Sequence, residues 1–321
     1  MMPQRNEVAD DLDPDLRAVL DELAATAEEP LHRLSVADAR ASVEGLRALN
    51  APPPEMEEIR ELEIPGGAAG VTLEARLYRP PGAVDHGPGL VFFHGGGWML
   101  GSVGFTEAVV RELAAAARMP ILSTSYRLAP EHRYPAAIDD ARAAFAWLAG
   151  AAERLGLDGR RLAVAGESSG GTLAAAVALA GRASADPAPA HQLLLFAPLD
   201  TTQDSDSYRK YAKGYMIETG DVDYFWRTYL GERFGDPPPL AAPLRAPDLA
   251  GVASATVVVA ECDPLRDDGL RYAERLCAAG VATRTVEWAR LTHGAIQMTG
   301  RVPRVRELLA ELGPVLQAAL S

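Results

Sequence analysis

The segment Gly166-Glu167-Ser168-Ser169-Gly170-Gly171 sets a serine among glycines, between a short apolar run at 162–165 and an Ala-rich stretch at 170–182. A serine held on a tight strand-to-helix turn has a strained backbone, and its neighbours must be small because side chains there would strike the adjoining strand and helix. The turn exposes the Ser168 hydroxyl at a helix N-terminus. A hydroxyl is a weak nucleophile at neutral pH, so a histidine must take its proton and a carboxylate must orient that histidine. A turn of this kind draws its acid and then its histidine from loops after later strands. Asp263 follows a β-type run at 256–260, and His293 follows another at 283–288. Asp263 competes with Glu261, Asp267 and Asp268. Asp267 is placed to cap the helix that follows and Asp263 lies nearer the strand end than it does, so Asp263 is preferred. His293 is the one histidine beyond the last strand, whereas His32, His86 and His191 read as surface or capping residues. The third element is His94-Gly95-Gly96-Gly97-Trp98, directly after the run at 90–93. Consecutive glycines let backbone N–H groups approach a developing oxyanion, and the expected donors are Gly96, Gly97 and Ser169.

These loops need a frame. From residue 59 onward short β-type runs at 59–64, 71–78, 90–93, 121–125, 162–165, 192–196, 256–260 and 283–288 alternate with helix-length stretches near 106–118, 136–154, 170–182, 268–279 and 304–320. Strand then helix, repeated, predicts an α/β fold: a mostly parallel, eight-stranded sheet covered on both faces. Gly313-Pro314 is expected to kink the last helix. Two amphipathic helices precede the sheet. The first has Asp13 as N-cap and Pro14 at its first position, with Leu16, Val19, Leu20 and Leu23 on one side. The second opens at Ser35 with Asp38 three residues on and carries Val36, Ala39, Val43 and Leu46. Between 199 and 249 there is no strand signal but an aromatic-rich segment that leaves through Pro237-Pro238-Pro239. It reads as inserted helices, so the chain divides into an N-terminal helical segment (1–50), a first core part (51–198), an insertion (199–249) and a second core part (250–321).

Composition narrows the function classes. The chain of 321 residues is 48% apolar and 23% charged, with a net charge of −13, which suits a globular protein with one large core and excludes a fibrous or disordered chain. Nine acids against two arginines in residues 1–29 account for more than half of that charge. An acidic start is the opposite of a secretory signal, and no apolar run approaches the length of a membrane span. A chain this acidic without a basic stripe is not expected to bind nucleic acid. Two cysteines, Cys262 and Cys277, cannot build a disulfide framework or a four-ligand zinc site, so each is expected to be a buried thiol in a cytoplasmic protein.

The combination of His94-Gly95-Gly96-Gly97-Trp98, the run Tyr126-Arg127-Leu128-Ala129-Pro130-Glu131-His132-Arg133-Tyr134-Pro135-Ala136, the 166–171 turn, Asp263-Pro264-Leu265-Arg266-Asp267 and His293-Gly294 resembles the hormone-sensitive-lipase-like esterases of the α/β-hydrolase fold over residues 50–320. The resemblance implies a carboxylesterase acting on small acyl esters of short to medium chain without metal or cofactor, as monomer or homodimer. It also implies that the N-terminal helices and the 199–249 insertion form a cap. In such a cap Trp98, Tyr208, Tyr215, Met216 and Phe225 are candidates to line the substrate pocket. Two departures stand out: Glu167 and Ser169 occupy the turn where these esterases usually carry Asp and Ala, and Ala295 follows His293-Gly294 where they often carry an aromatic residue. A hydrolase shell that binds without turnover, and amide, lactone or acyl-transfer chemistry with the same residues, are the alternatives.

Overall fold

The computed structural model describes residues 11–26, 29–182 and 186–321. Of the acids in the N-terminal segment, Glu7, Asp10 and Glu28 lie outside the described residues. Eight strands, β1 (Glu58–Pro65), β2 (Thr72–Arg79), β3 (Gly87–Phe93), β4 (Ile121–Thr124), β5 (Leu157–Glu167), β6 (His191–Leu195), β7 (Ser254–Ala260) and β8 (Thr283–Trp288), form one sheet in the order β1-β2-β4-β3-β5-β6-β7-β8. The β1–β2 and β2–β4 pairs are antiparallel and all others are parallel. Central strands such as β6 and β7 are buried on both faces, which is why they carry the apolar stretches 193–195 and 257–260 rather than a polar–apolar alternation.

Alternate residues along each strand feed two cores. Val91, Phe93, Val164, Val257 and Val259 face the core built with α4 (Ala136–Ala151), α5 (Ser169–Gly181) and α8 (Arg266–Ala278). Leu90, Phe92, Ala163, Ala165, Val258 and Ala260 face the core built with α3 (Glu107–Ala117) and α9 (Pro303–Ala319). That period of two is the signature of a sheet covered on both sides. α9 keeps helical assignment through Gly313 and Pro314. Gly313 also serves a close helix crossing, because a Cβ there would stand 2.3 Å from the Ala116 carbonyl oxygen in α3.

Of the two N-terminal helices, α1 (Pro14–Thr26) starts where the sequence places it, with Asp13 Oδ1 accepting from the Asp15 and Leu16 N–H groups. Its Leu16, Val19 and Leu20 join the α3–α9 core. Ser35 caps α2 (Val36–Gly45) by accepting from the Asp38 N–H, and Ala39 and Val43 join the opposite core. The segment after β6 carries α6 (Asp206–Lys210) and α7 (Thr219–Leu230). Asp221, in the first turn of α7, accepts from the Glu218 N–H at 2.9 Å and from His32 at both its N–H and Nδ1. His32, still partly exposed, therefore bridges the two helical segments, whereas His191, expected at the surface or as a cap, is buried between the Ser254 and Thr256 hydroxyls. Cys262 is buried as expected, but Cys277 is exposed. In α8 the inward positions are Tyr272, Ala273 and Leu276, and one further residue of helix rotates Cys277 outward. Among the described residues no helix is long and apolar enough to cross a membrane.

Candidate active site

In the order β3-β5-β6-β7-β8, the loops that leave the C-terminal ends of β3, β5, β7 and β8 come to one edge of the sheet. Ser168 stands between β5 and α5 with φ 50° and ψ −125°, the strained backbone expected of a serine on this turn. Its N–H donates to the Leu195 carbonyl at the end of β6. The flanking glycines are sterically required. A Cβ on Gly166 would lie 2.2 Å from the Gly170 carbonyl oxygen, and one on Gly170 would lie 2.1 Å from that of Phe93. The second of these contacts presses the turn directly against the start of the glycine loop after β3.

His293 joins the serine to the acid. Its Nε2 lies 3.0 Å from Ser168 Oγ and its Nδ1 lies 2.9 Å from Asp263 Oδ2. Asp263 is fully buried, and its other oxygen accepts from the Leu265 N–H at 2.8 Å. The competing acids face elsewhere. Glu261 accepts from the Arg290 N–H, Asp267 from the Ser207 N–H, and Asp268 from the Leu199 N–H. Thr292 Oγ1 lies within hydrogen-bond reach of the Tyr215 and Cys262 carbonyls, which fixes the loop just before the histidine. Burial presses the His293 pKa down, but the Asp263 and Glu167 carboxylates press it up more strongly, so the net shift is upward from 6.5.

The glycine loop is shaped by its own contacts. Gly96 (φ 116°) and Gly97 (φ 61°) occupy backbone regions that favour glycine, and a Cβ on Gly96 would meet the Leu100 carbonyl oxygen at 2.3 Å. His94 is buried beneath, with Nδ1 2.8 Å from the Gly95 carbonyl oxygen and its ring stacked 4.3 Å from that of Tyr126, whose hydroxyl donates to the His94 carbonyl. Burial lowers its pKa to about 4, so it is neutral and holds the loop through hydrogen bonds. The Tyr126–Ala136 run is thus a support: the Ala129 N–H donates to the Trp98 carbonyl, and Arg40 of α2 donates to both Met99 and Ala129 carbonyls while pairing with Glu131. The Ser169 hydroxyl is buried beside that of Tyr126 without a well-formed hydrogen bond.

The pocket candidates separate. Trp98 and Phe225 line a narrow apolar cleft against Ser168, together with Gly97, Pro198, Ile217, Val222, Trp226 and Leu265. Phe225 presses so closely on the glycine loop that a Cβ on Gly97 would lie 2.4 Å from its ring. Trp98 is stacked 4.5 Å from Tyr229 and lies 4.3 Å from Trp226, so α7 packs on the loop through aromatic faces. Tyr208 packs inward, its hydroxyl 3.5 Å from Asp268, and Tyr215 packs edge-on against Tyr211; neither lines the cleft. Met216, at φ 76°, faces a separate groove shared with Leu20, Leu31 and Leu34, and its side chain reaches toward Gly294 beside the histidine. Two contacts escaped sequence reasoning: Gln297, whose Nε2 donates to Glu167 Oε2 at 3.0 Å, and Phe196 (φ 54°), whose ring stands edge-on to His293 with 6.3 Å between centroids.

Comparison with known proteins places the chain in a family. Residues 90–297 match the family described as the α/β-hydrolase fold. The chain is 38% identical to esterase LipI of Mycobacterium tuberculosis over 315 residues, covering 95% of each chain. It is 35% identical to an ethyl acetate hydrolase of Pseudomonas putida, covering 96% of this chain and 99% of that one. The crystal structure of a thermostable esterase from Pseudomonas putida superposes with a TM-score of 0.91 at 34% identity, over 98% of this chain and 99% of that one. With its sheet order, its strained serine turn and its full-length likeness to named esterases, the chain belongs to the α/β-hydrolase fold family, among the hormone-sensitive-lipase-like carboxylesterases.

Proposed function

We propose that the protein is a serine carboxylesterase that cleaves small acyl esters of short to medium chain through an acyl-enzyme. The observation that carries this reading is the relay from Asp263 Oδ2 to His293 Nδ1 at 2.9 Å and from His293 Nε2 to Ser168 Oγ at 3.0 Å. His293 takes the Ser168 proton as Oγ bonds to the ester carbonyl carbon, and the oxyanion is met by the Gly96, Gly97 and Ser169 N–H groups. As the carbonyl re-forms, the ester C–O bond breaks and His293 delivers the proton to the departing alcohol. Water then attacks the acyl-enzyme by the same route and the carboxylic acid leaves. Asp263 holds the imidazole in the tautomer with its proton on Nδ1 throughout. Binding without turnover is disfavoured, since such a protein has no need of all three groups in register.

The N-terminal helices and the 199–249 segment are read as a cap. They meet through His32 and Asp221 and bring Phe225 and Trp226 over Ser168. The narrow cleft against Ser168 suits a short acyl chain, in keeping with the small ester named for the Pseudomonas putida relative. Replacing Phe225 with Val should open it. One or two further methylenes, each contributing about 0.8 kcal/mol on burial, should raise the octanoate-to-acetate ratio of kcat/KM by about tenfold. An unchanged ratio takes Phe225 off the substrate path. For the reaction itself, rapid mixing with p-nitrophenyl acetate should release a burst of p-nitrophenol equal to the enzyme present when deacylation is slowed at low temperature. No turnover of any ester in a panel varied in acyl and alcohol parts would reject the esterase reading.

A further inference from the structure

Glu167 immediately precedes Ser168 and is buried at 5% exposure, yet the relay does not use it. One carboxylate oxygen lies against the glycine loop, where a Cβ on Gly95 would be 2.6 Å from Oε1. The other accepts from Gln297 Nε2 at 3.0 Å, in the turn Ala295–Gln297 just beyond His293. Gln297 is itself buried, and its own Oε1 has no hydrogen-bond partner among the described residues. A single side chain therefore touches the loop of the oxyanion donors and the loop of the base while sitting on the turn of the nucleophile. Those loops come from β3, β8 and β5, and between β5 and β8 two further strands intervene, so sheet pairing alone does not fix their mutual register.

We propose that Glu167 is a positioning residue whose carboxylate ties the Gly95 loop to the Gln297 turn and so sets the oxyanion donors and His293 in register with Ser168. Glu suits this role because it reaches both loops, and the amide of Gln297 supplies a donor without competing for a proton. The electrostatics agree with the geometry. Burial raises the Glu167 carboxyl to about 7, against hydrogen bonds from Gln297 and Gly95 and the attraction of His293, and its charge in turn raises His293. The titratable groups facing it are His293 and Tyr126.

The inference rests on the relay read above, and its test keeps the two apart. Glu167→Gln preserves shape but removes the charge, and the double exchange Glu167→Gln with Gln297→Glu rebuilds an amide–carboxylate pair between the same loops. Glu167→Gln should lower kcat by about tenfold to a hundredfold, the scale of a slight misplacement of reacting groups, with KM nearly unchanged. The acid limb of its kcat/KM profile should move to lower pH, because His293 loses a neighbouring negative charge. The double exchange should restore most of kcat. Wild-type kcat with an unmoved acid limb in Glu167→Gln, or a loss that the exchange fails to restore, overturns the inference. Ser168→Ala assayed alongside separates the cases: if it turns over ester the relay itself is wrong, and if it is inert while Glu167→Gln behaves as wild type only the role of Glu167 falls.

Discussion

Ser168→Ala should lower kcat/KM on p-nitrophenyl butyrate by about four to six orders of magnitude, the scale on which removal of a serine nucleophile acts. The physical reason is that Oγ is the atom 3.0 Å from His293 Nε2, and no second hydroxyl takes its place: the Ser169 hydroxyl is buried beside Tyr126. The fold should persist. Ala is no worse than Ser at φ 50°, the Ser168 N–H still donates to Leu195, and the glycines that shape the turn are untouched. Circular dichroism and melting temperature close to wild type, beside a rate about four to six orders of magnitude below it, are the expected pair of observations. A destabilised variant would leave the rate loss ambiguous, and the Asp263 variant then carries the argument.

Asp263→Asn should lower kcat by about 10⁴-fold near neutral pH through the tautomer of His293. The Leu265 N–H donates to one carboxylate oxygen at 2.8 Å, so the asparagine must keep its carbonyl oxygen there. Its NH₂ then faces His293 Nδ1, 2.9 Å away in the wild type. An NH₂ donor forces Nδ1 to accept, which moves the ring proton to Nε2. The nitrogen that should receive the Ser168 proton is then already occupied. Raising the pH helps only where hydroxide replaces the base, so the variant should recover part of its rate in alkali while the wild type stays level. A mere hydrogen-bond loss would give a small, pH-independent drop.

Much of this arrangement is legible in the sequence because it is local. The serine turn, the glycine loop, the Asp263 loop and the His293 loop each follow a short β-type run, and all eight strands fall where such runs lie. Boundaries are less legible. β5 extends back to Leu157 because Gly87 pairs with it across an irregularity, a tertiary contact without a local signal. The insertion is the hardest part. Tyr208 and Phe225 look alike as aromatic residues in a segment without strands, but only the helix faces decide that one packs toward Asp268 and the other over Gly97. The pairing of Glu167 with Gln297 spans most of the second half of the chain, and Gln297 carries no motif of its own. The unusual Glu at 167 is the one signal that could have led to it.

The most direct measurement is to quench the enzyme during turnover of p-nitrophenyl acetate and locate the acyl group by mass spectrometry of its peptides. One acetyl group per chain is expected, on the peptide containing Ser168 and absent from Ser168→Ala. Acetyl on another residue, or continued turnover by Ser168→Ala, would contradict it.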